Sequence, residues 1–255
     1  MLSAKNISVT FHRRGGTAFK ALDDVSLEVR EHEVVGLVGE SGSGKTTFVR
    51  VLCGLQKPDC GKVTLDGRDI TDLSVRERLA ISGGRSSLQM IFQDAVGALN
   101  PRMRVHDTLT EVLRVHKVCP VGKMDAEVSR LLDLVGIPLA LAGRFPHELS
   151  GGQCQRVCIA RALALNPGLL IGDEPVSALD VSVQARILRL LGDLREKSGL
   201  SMLLITHDLA VVSAICDRVY VLEKGHLVEQ GIPAEVFAEP KHPYTKRLLA
   251  AIPQV

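Results

Sequence analysis

The run GESGSGKT, Gly39 to Thr46, has the spacing G-x-x-x-x-G-K-T of a loop that grips phosphate. Gly39, Gly42 and Gly44 let successive backbone N–H groups curl around phosphate oxygens, while Lys45 reaches the β and γ groups and the Thr46 hydroxyl is offered to Mg²⁺. Ser41, Ser43 and Thr47 complete the candidate binding loop. The apolar run Val34 to Val38 reads as a buried strand leading in. Lys45 to Leu55 reads as a helix whose positive N-terminal end faces the anion.

A second Gly-rich segment, LSGGQ at Leu149 to Gln153, has two readings. Ser150 and Gln153 make an S-x-x-Q capping box for a helix from about Gly152 to Leu165. Yet Gly151 and Gly152 would then sit in the first turn, where each costs up to about 1 kcal/mol relative to Ala. Bare backbone at a helix start admits a phosphate closely, so Ser150, Gly151, Gly152 and Gln153 are also candidate nucleotide contacts.

The third segment, LLIGDE, sets Asp173 and Glu174 at the end of an apolar strand, where a parallel sheet delivers side chains to its ligand crevice. Asp173 suits a Mg²⁺ contact, because hard cations take oxygen ligands. Glu174, one residue on, is placed to act as general base on the attacking water. Taken alone, the pair is more readily a solvated turn. The same holds for Gln93, which follows the apolar run Leu88 to Phe92, and for His207, which follows Met202 to Ile205.

In this order the segments resemble the ATP-binding cassette family over nearly the whole chain. The resemblance puts the Walker A loop on Gly39 to Thr46, the Q-loop glutamine on Gln93, and the signature on Leu149 to Gln153. It puts the Walker B acids on Asp173 and Glu174, the D-loop on Ser177 to Asp180 and the switch histidine on His207. It implies ATP and Mg²⁺ as ligands, with Gln93 sensing Mg²⁺ or the lytic water and His207 contacting the γ-phosphate. It also implies an aromatic side chain on adenine, for which Phe11, at the end of the first strand, is preferred to Phe19 in the loop after it. A closer resemblance is to the peptide and nickel importer branch, through IFQDAVGALNPRM, DEPVSALDVSVQARIL and the tail HPYTKRLLAAIP. Three positions depart from that branch: Ala95 stands where Pro is usual, Cys154 where a charged residue is common, and Gly172 where an apolar one is.

The expected fold is therefore α/β: a P-loop NTPase, RecA-like core with a mostly parallel sheet, an antiparallel β part and a helical subdomain. The 255 residues form one cassette, with 1–93 and 154–230 as the core, 94–153 helical and 231–255 a tail. Alternation in Ile7 to Phe11 and Val25 to Arg30 marks antiparallel strands with one wet face. Leu169 to Ile171 and Met202 to Ile205 read as central parallel strands around a helix at Val183 to Leu194. Helical patterns at Thr108 to Val115 and Asp125 to Val135 are broken by Pro101, Pro120 and Pro138.

A net charge of +2 without a polybasic block excludes nucleic acid and anionic lipid as evident ligands. No run of 18 apolar residues or secretory leader is visible, so an intracellular chain is expected, held peripherally at the cytoplasmic face of the inner membrane through protein. The six cysteines suit a reducing compartment. Cys154 and Cys158, at i and i+4, read as core packing in preference to a metal pair.

The helix after the signature is about 14 residues and roughly 21 Å long, and its far end must feed the strand carrying Asp173. LSGGQ is therefore not expected to close on the nucleotide of its own P-loop, and two cassettes should face each other head to tail. The expected assembly is this ATPase with a second cassette, two membrane permease subunits and, indirectly, a solute-binding protein, importing nickel or peptides. A heterodimer is preferred because the chain ends before the cysteine-rich tail of some relatives could form, with a homodimer as the alternative. A non-transport ATPase or a regulatory nucleotide-binding module is the competing class.

Overall fold

The computed structural model describes residues 1–12, 18–74, 77–78, 88–176 and 179–251. Three five-residue strands, β3 (Val34–Val38), β7 (Leu169–Asp173) and β8 (Ser201–Ile205), are buried at every position. Strands this short, buried throughout and apolar but for Asp173 and Ser201 at their ends, are stable only when both sheet faces are covered, as in parallel sheets. They lie in a six-stranded sheet with β6 (Leu88–Ile91), β9 (Arg218–Glu223) and β10 (His226–Gly231), in the order β10-β9-β3-β8-β7-β6. All neighbours are parallel except the β9–β10 hairpin at one edge.

The alternating strands make a separate antiparallel sheet. β1 (Leu2–Phe11) is flanked by β2 (Phe19–Val29) and β4 (Cys60–Leu65), and β5 (Arg68–Asp69) closes the edge. Phe19 thus begins a strand and is not in the loop expected for it; it is the register partner of Phe11.

Helix α1 (Lys45–Leu52) lies between the two sheets, and its fully buried Phe48 joins a core of Leu2, Ile7 and Leu22 from one and Leu37, Ile171 and Leu203 from the other. The helix stops at Leu52 and not at Leu55. Gly54 turns left-handed at φ 73°, and the N–H groups of Leu55 and Gln56 return to the Arg50 carbonyl. On the other face of the sheet, α2 (Val105–Val115), α3 (Met124–Leu134) and α4 (Gly151–Leu163) pack Leu109, Leu131 and Val157 into a core continuous with Leu170 and Leu204. Helix α5 (Val181–Ser198) is longer at both ends than its apolar stripe, because Asp180 caps its start and left-handed Gly199 its end.

The chain closes with α6 (Leu209–Ile215), α7 (Pro233–Ala238) and α8 (Pro243–Ala250), each of the last two opened by a proline at its first position. The residues that depart from the branch pattern are absorbed locally. Ala95 and Cys154 are buried, the Cys154 thiol donating to the Pro146 carbonyl, and a Cβ at Gly172 would press on the Pro175 ring. Cys158 is buried too, donates to the Ala95 carbonyl and has its thiol pushed up to about 11 by burial.

Because Phe48 bridges the sheets, Phe48→Ala is expected to cost about 3–5 kcal/mol. Urea unfolding checks this, and a loss below about 1 kcal/mol would show that α1 is not the bridge.

Candidate functional site

The loop after β3 is shaped by backbone approaches that exclude side chains. A Cβ on Gly39 would overlap the Leu222 carbonyl, and one on Gly44, whose φ is 111°, would come within 2.7 Å of the Ala21 carbonyl. Outside contacts fix its shape: the Gly225 N–H donates to the Ser43 carbonyl at 2.8 Å, and Gly225 in turn accepts from the Asp23 N–H at 2.9 Å. Gly44 then starts α1, whose first turn carries no acidic residue to compete for an anion.

Lys45 is 8% exposed, and its Nζ donates to the Gly39 and Glu40 carbonyls at 2.6 and 2.8 Å. Burial lowers its pKa, while Glu174, Asp173 and Glu40 pull it back up. Asp173, buried at the end of β7, shows the opposite balance: burial and the adjacent Glu174 raise its pKa, and Lys45 and Arg50 oppose the rise.

Glu174 follows in a left-handed conformation, φ 48°, pinned by its N–H to the Ile205 carbonyl at 2.8 Å. For a side-chain-bearing residue this geometry costs about 1–3 kcal/mol, and it turns the carboxylate out of the strand line. There Oε2 accepts from Gln93 Nε2 at 3.0 Å, and Oε1 from His207 Nδ1 at 3.1 Å. Three side chains from the ends of β6, β7 and β8 thus meet, although no two lie within 30 residues in sequence.

A cleft of about 670 Å³ is lined by Ser41, Gly42, Gly44, Lys45, Thr46 and Thr47, by Gln93, Asp173, Glu174 and His207, and by both Phe11 and Phe19. That volume suits a nucleotide-sized ligand. A larger hollow of about 940 Å³ opens at the opposite ends of the strands, between α5, α6 and the start of β3. Its Arg195 and Asp217 pair at 2.8 Å, and Glu196 and Lys197 add one charge of each sign, so the lining offers no net excess of charge to a ligand.

The signature segment does not line the cleft. Ser150 and Gln153 form the reciprocal cap, with Gln153 N–H to Ser150 Oγ at 3.3 Å and Ser150 N–H to Gln153 Oε1 at 2.8 Å. The cap leaves Gly151 unexplained, since a Cβ there would meet nothing within 4 Å. Helix length alone is not what separates this segment from the P-loop, because α4 carries the chain back to the start of β7 and so begins on the phosphate side of the sheet. The separation is lateral. α4 packs beside β6, three strands from β3, which is roughly 14 Å at the spacing of neighbouring strands. Of the D-loop, Ser177 and Ala178 lie outside the described residues, and Asp180 caps α5 through the Val183 N–H.

The family model of the ABC transporter matches residues 22–177. The chain belongs to the ABC transporter family. Among its relatives, the oligopeptide transport ATP-binding protein OppF of Streptococcus mutans is 46% identical over all of this chain and 82% of its own length. A putative peptide import ATP-binding protein of Brucella ovis is 45% identical over 99% of this chain and 78% of its own. Among solved structures, the ATP-binding cassette MJ0796, a dimer in a post-hydrolysis state bound to ADP and Pi, superposes with a TM-score of 0.83. It is 30% identical and covers 91% of this chain and 99% of its own. This chain is an ATP-binding, ATP-hydrolysing subunit of an ABC importer, and among the described residues no helix is long and apolar enough to cross a membrane.

Sequence reasoning missed Glu40, Ala21 and Gly225, which shape the loop through main-chain atoms. A backbone contact leaves no residue-type signal; only the glycine at 225 hinted at one.

The folded chain holds the Asp173 proton more tightly than the unfolded chain does. This group's contribution to stability is therefore present below about pH 4, the unfolded value, and is lost as the pH rises through the raised folded value. Asp173→Asn, which cannot ionise, is expected to melt higher than wild type at about pH 7 in nucleotide-free protein, with the gain shrinking toward about pH 4. Melting curves in which the variant is the less stable at neutral pH would contradict this.

Proposed function

We propose that this subunit powers peptide uptake, hydrolysing MgATP in the cleft that Lys45, Asp173 and Glu174 share. The observation that carries the reading is the meeting of Gln93 and His207 on the Glu174 carboxylate beside a buried Lys45. The names of the relatives support peptides as the solute and give nickel no specific support.

In this mechanism the P-loop N–H groups and Lys45 draw charge from the β- and γ-phosphates. Thr46, Asp173 and Gln93 would hold Mg²⁺; the buried carboxylate, costly to ionise without a cation, fits that role, and the ion would supply neutralisation of phosphate charge. Glu174 takes a proton from water as the water oxygen bonds to the γ-phosphorus and the bond to the β–γ bridging oxygen breaks. Gln93 and His207 fix the carboxylate for that transfer, and His207, more exposed than Glu174, is free to turn to the γ-phosphate. Phe11 stacks on adenine, with Phe19 beside it at the cleft mouth.

The rim Ser150 to Gln153 faces the triphosphate held by a second cassette, and the uncrowded Gly151 backbone is suited to that approach. We take the second cassette to be a distinct chain. Segment 94–153 is the part through which two permease subunits are engaged at the cytoplasmic face of the inner membrane, fed by a solute-binding protein outside. Its position between Gln93 and the signature ties its motion to the γ-phosphate.

Glu174→Gln should lower phosphate release at least about a hundredfold while MgATP affinity stays within roughly threefold of wild type. With MgATP this variant should also elute as a dimer with its partner cassette in size exclusion. Near-normal turnover would remove Glu174 as base, and a monomer under those conditions would remove the head-to-tail assembly. Phe11→Ala should weaken MgATP about tenfold and leave inorganic triphosphate binding unchanged. The same pattern in Phe19→Ala alone would transfer the adenine contact to Phe19.

A further inference from the structure

The C-terminal helix reaches the phosphate-binding loop. The approach to α8 is fixed by Glu229 on β10, whose carboxylate accepts the N–H groups of Lys241 and His242 at 2.8 and 3.0 Å. The His242 ring then caps the helix by accepting the Tyr244 N–H at 3.2 Å. One turn on, Arg247 pairs with Glu223 of β9 at 3.0 Å and lies 5.6 Å over the Tyr244 ring. Tyr244 is 2% exposed and packs with Val38, Val219, Val221 and Val236 directly beneath the start of the loop.

From that position its phenolic oxygen accepts the Glu40 N–H at 2.7 Å. The peptide unit that supplies this N–H ends in the Gly39 carbonyl, which accepts Lys45 Nζ at 2.6 Å. The Gly39–Glu40 peptide is thus held at both ends, by Tyr244 on one side and by Lys45 on the other. Its neighbour on the N-terminal side is a glycine, the residue least able to resist rotation of the peptide plane by itself. Once Lys45 turns from the two carbonyls to phosphate oxygens, the Tyr244 end alone keeps the plane in register.

We propose that Tyr244 is a positioning residue for the phosphate-binding loop, its phenolic oxygen fixing the Gly39–Glu40 peptide so that Lys45 meets the triphosphate from one direction. The nucleotide part of this rests on reading Gly39 to Thr46 as the triphosphate loop. A contact between the tail and the loop also makes nucleotide affinity responsive to anything that displaces α8.

The experiment compares the wild type with Tyr244→Phe, which keeps the ring, its burial and the Arg247 contact, and with Arg247→Gln, which removes the exposed ion pair to Glu223 and leaves the Tyr244 phenol on the Glu40 N–H. Hydrogen–deuterium exchange of the Glu40 amide in nucleotide-free protein is read first, then the affinity for a fluorescent MgATP analogue, then KM and kcat. In Tyr244→Phe the Glu40 amide should exchange at least about fivefold faster, and both the analogue Kd and the KM for ATP should rise about three- to tenfold with kcat within twofold. Arg247→Gln should leave all of these within twofold. Unchanged Glu40 exchange in Tyr244→Phe, or faster exchange with unchanged affinity, would overturn the proposal, as would equal losses in both variants. Wild-type protein that failed to bind the analogue at all would instead overturn the nucleotide reading, and exchange at Glu40 would still report whether the contact exists.

Discussion

An ammonium group almost withdrawn from water, at Lys45, sets the conditions the rest of the site must meet. Burial alone would make its charge costly, and the chain offsets that cost in two ways. Backbone carbonyls of Gly39 and Glu40 accept its hydrogen bonds, and three carboxylates, Glu174, Asp173 and Glu40, add opposite charge nearby. The carbonyls can reach it only because the loop folds back over its own helix. That path is open only to a chain with glycine where the Leu222 and Ala21 carbonyls press in. The β9–β10 turn must then be present to supply the outer wall, so residues near 225 are part of a site that begins at 39. The demand for one stabilised cation thereby spreads through both sheets.

Asp173 pays the counterpart of this arrangement in its own protonation. It lies beside both Lys45 and Glu174, and burial together with the second carboxylate outweighs the attraction of the lysine. A carboxylate in that position gains from any cation brought near it, which is the property wanted of a metal-binding group. Glu174 is treated differently by the fold. Its left-handed backbone lifts the side chain out of the strand, where Gln93 and His207 hold its two oxygens separately. Adjacent acids, alike in sequence, are separated into a buried carboxyl and a carboxylate oriented by two side chains, as the proposed roles of metal contact and base require.

The site was largely legible before the fold, because phosphate chemistry constrains residue type and spacing within short segments. Gly39 to Thr46 and Asp173–Glu174 carry their geometry in adjacent residues, and the apolar runs around them place them at strand ends. The wider fold was legible where period and burial agree, as in β3, β7 and β8. It was less so where tertiary contacts set the limits. β2 runs back to Phe19 because it pairs with Phe11, a register fixed by the partner strand and not by local alternation. α5 extends past its apolar stripe because capping, which pattern does not register, defines its ends. Tyr244 is the extreme case: its phenol serves a main-chain N–H at a sequence distance of 204, and no motif in either segment encodes the meeting.

The position of the signature follows from the parallel topology of the larger sheet. A helix between parallel neighbours must return the chain to the strand starts, so α4 begins on the same side of the sheet as the P-loop. Proximity along that axis is defeated by the strand order, which inserts β8 and β7 between β3 and β6. With Gly151 exposed and nothing within 4 Å of where its Cβ would stand, the rim presents unhindered backbone to its surroundings. In the proposed assembly this backbone is what the triphosphate held by a second cassette meets. Under the proposed head-to-tail assembly, the sheet order that sets the signature three strands from its own P-loop is also what makes hydrolysis depend on the second cassette.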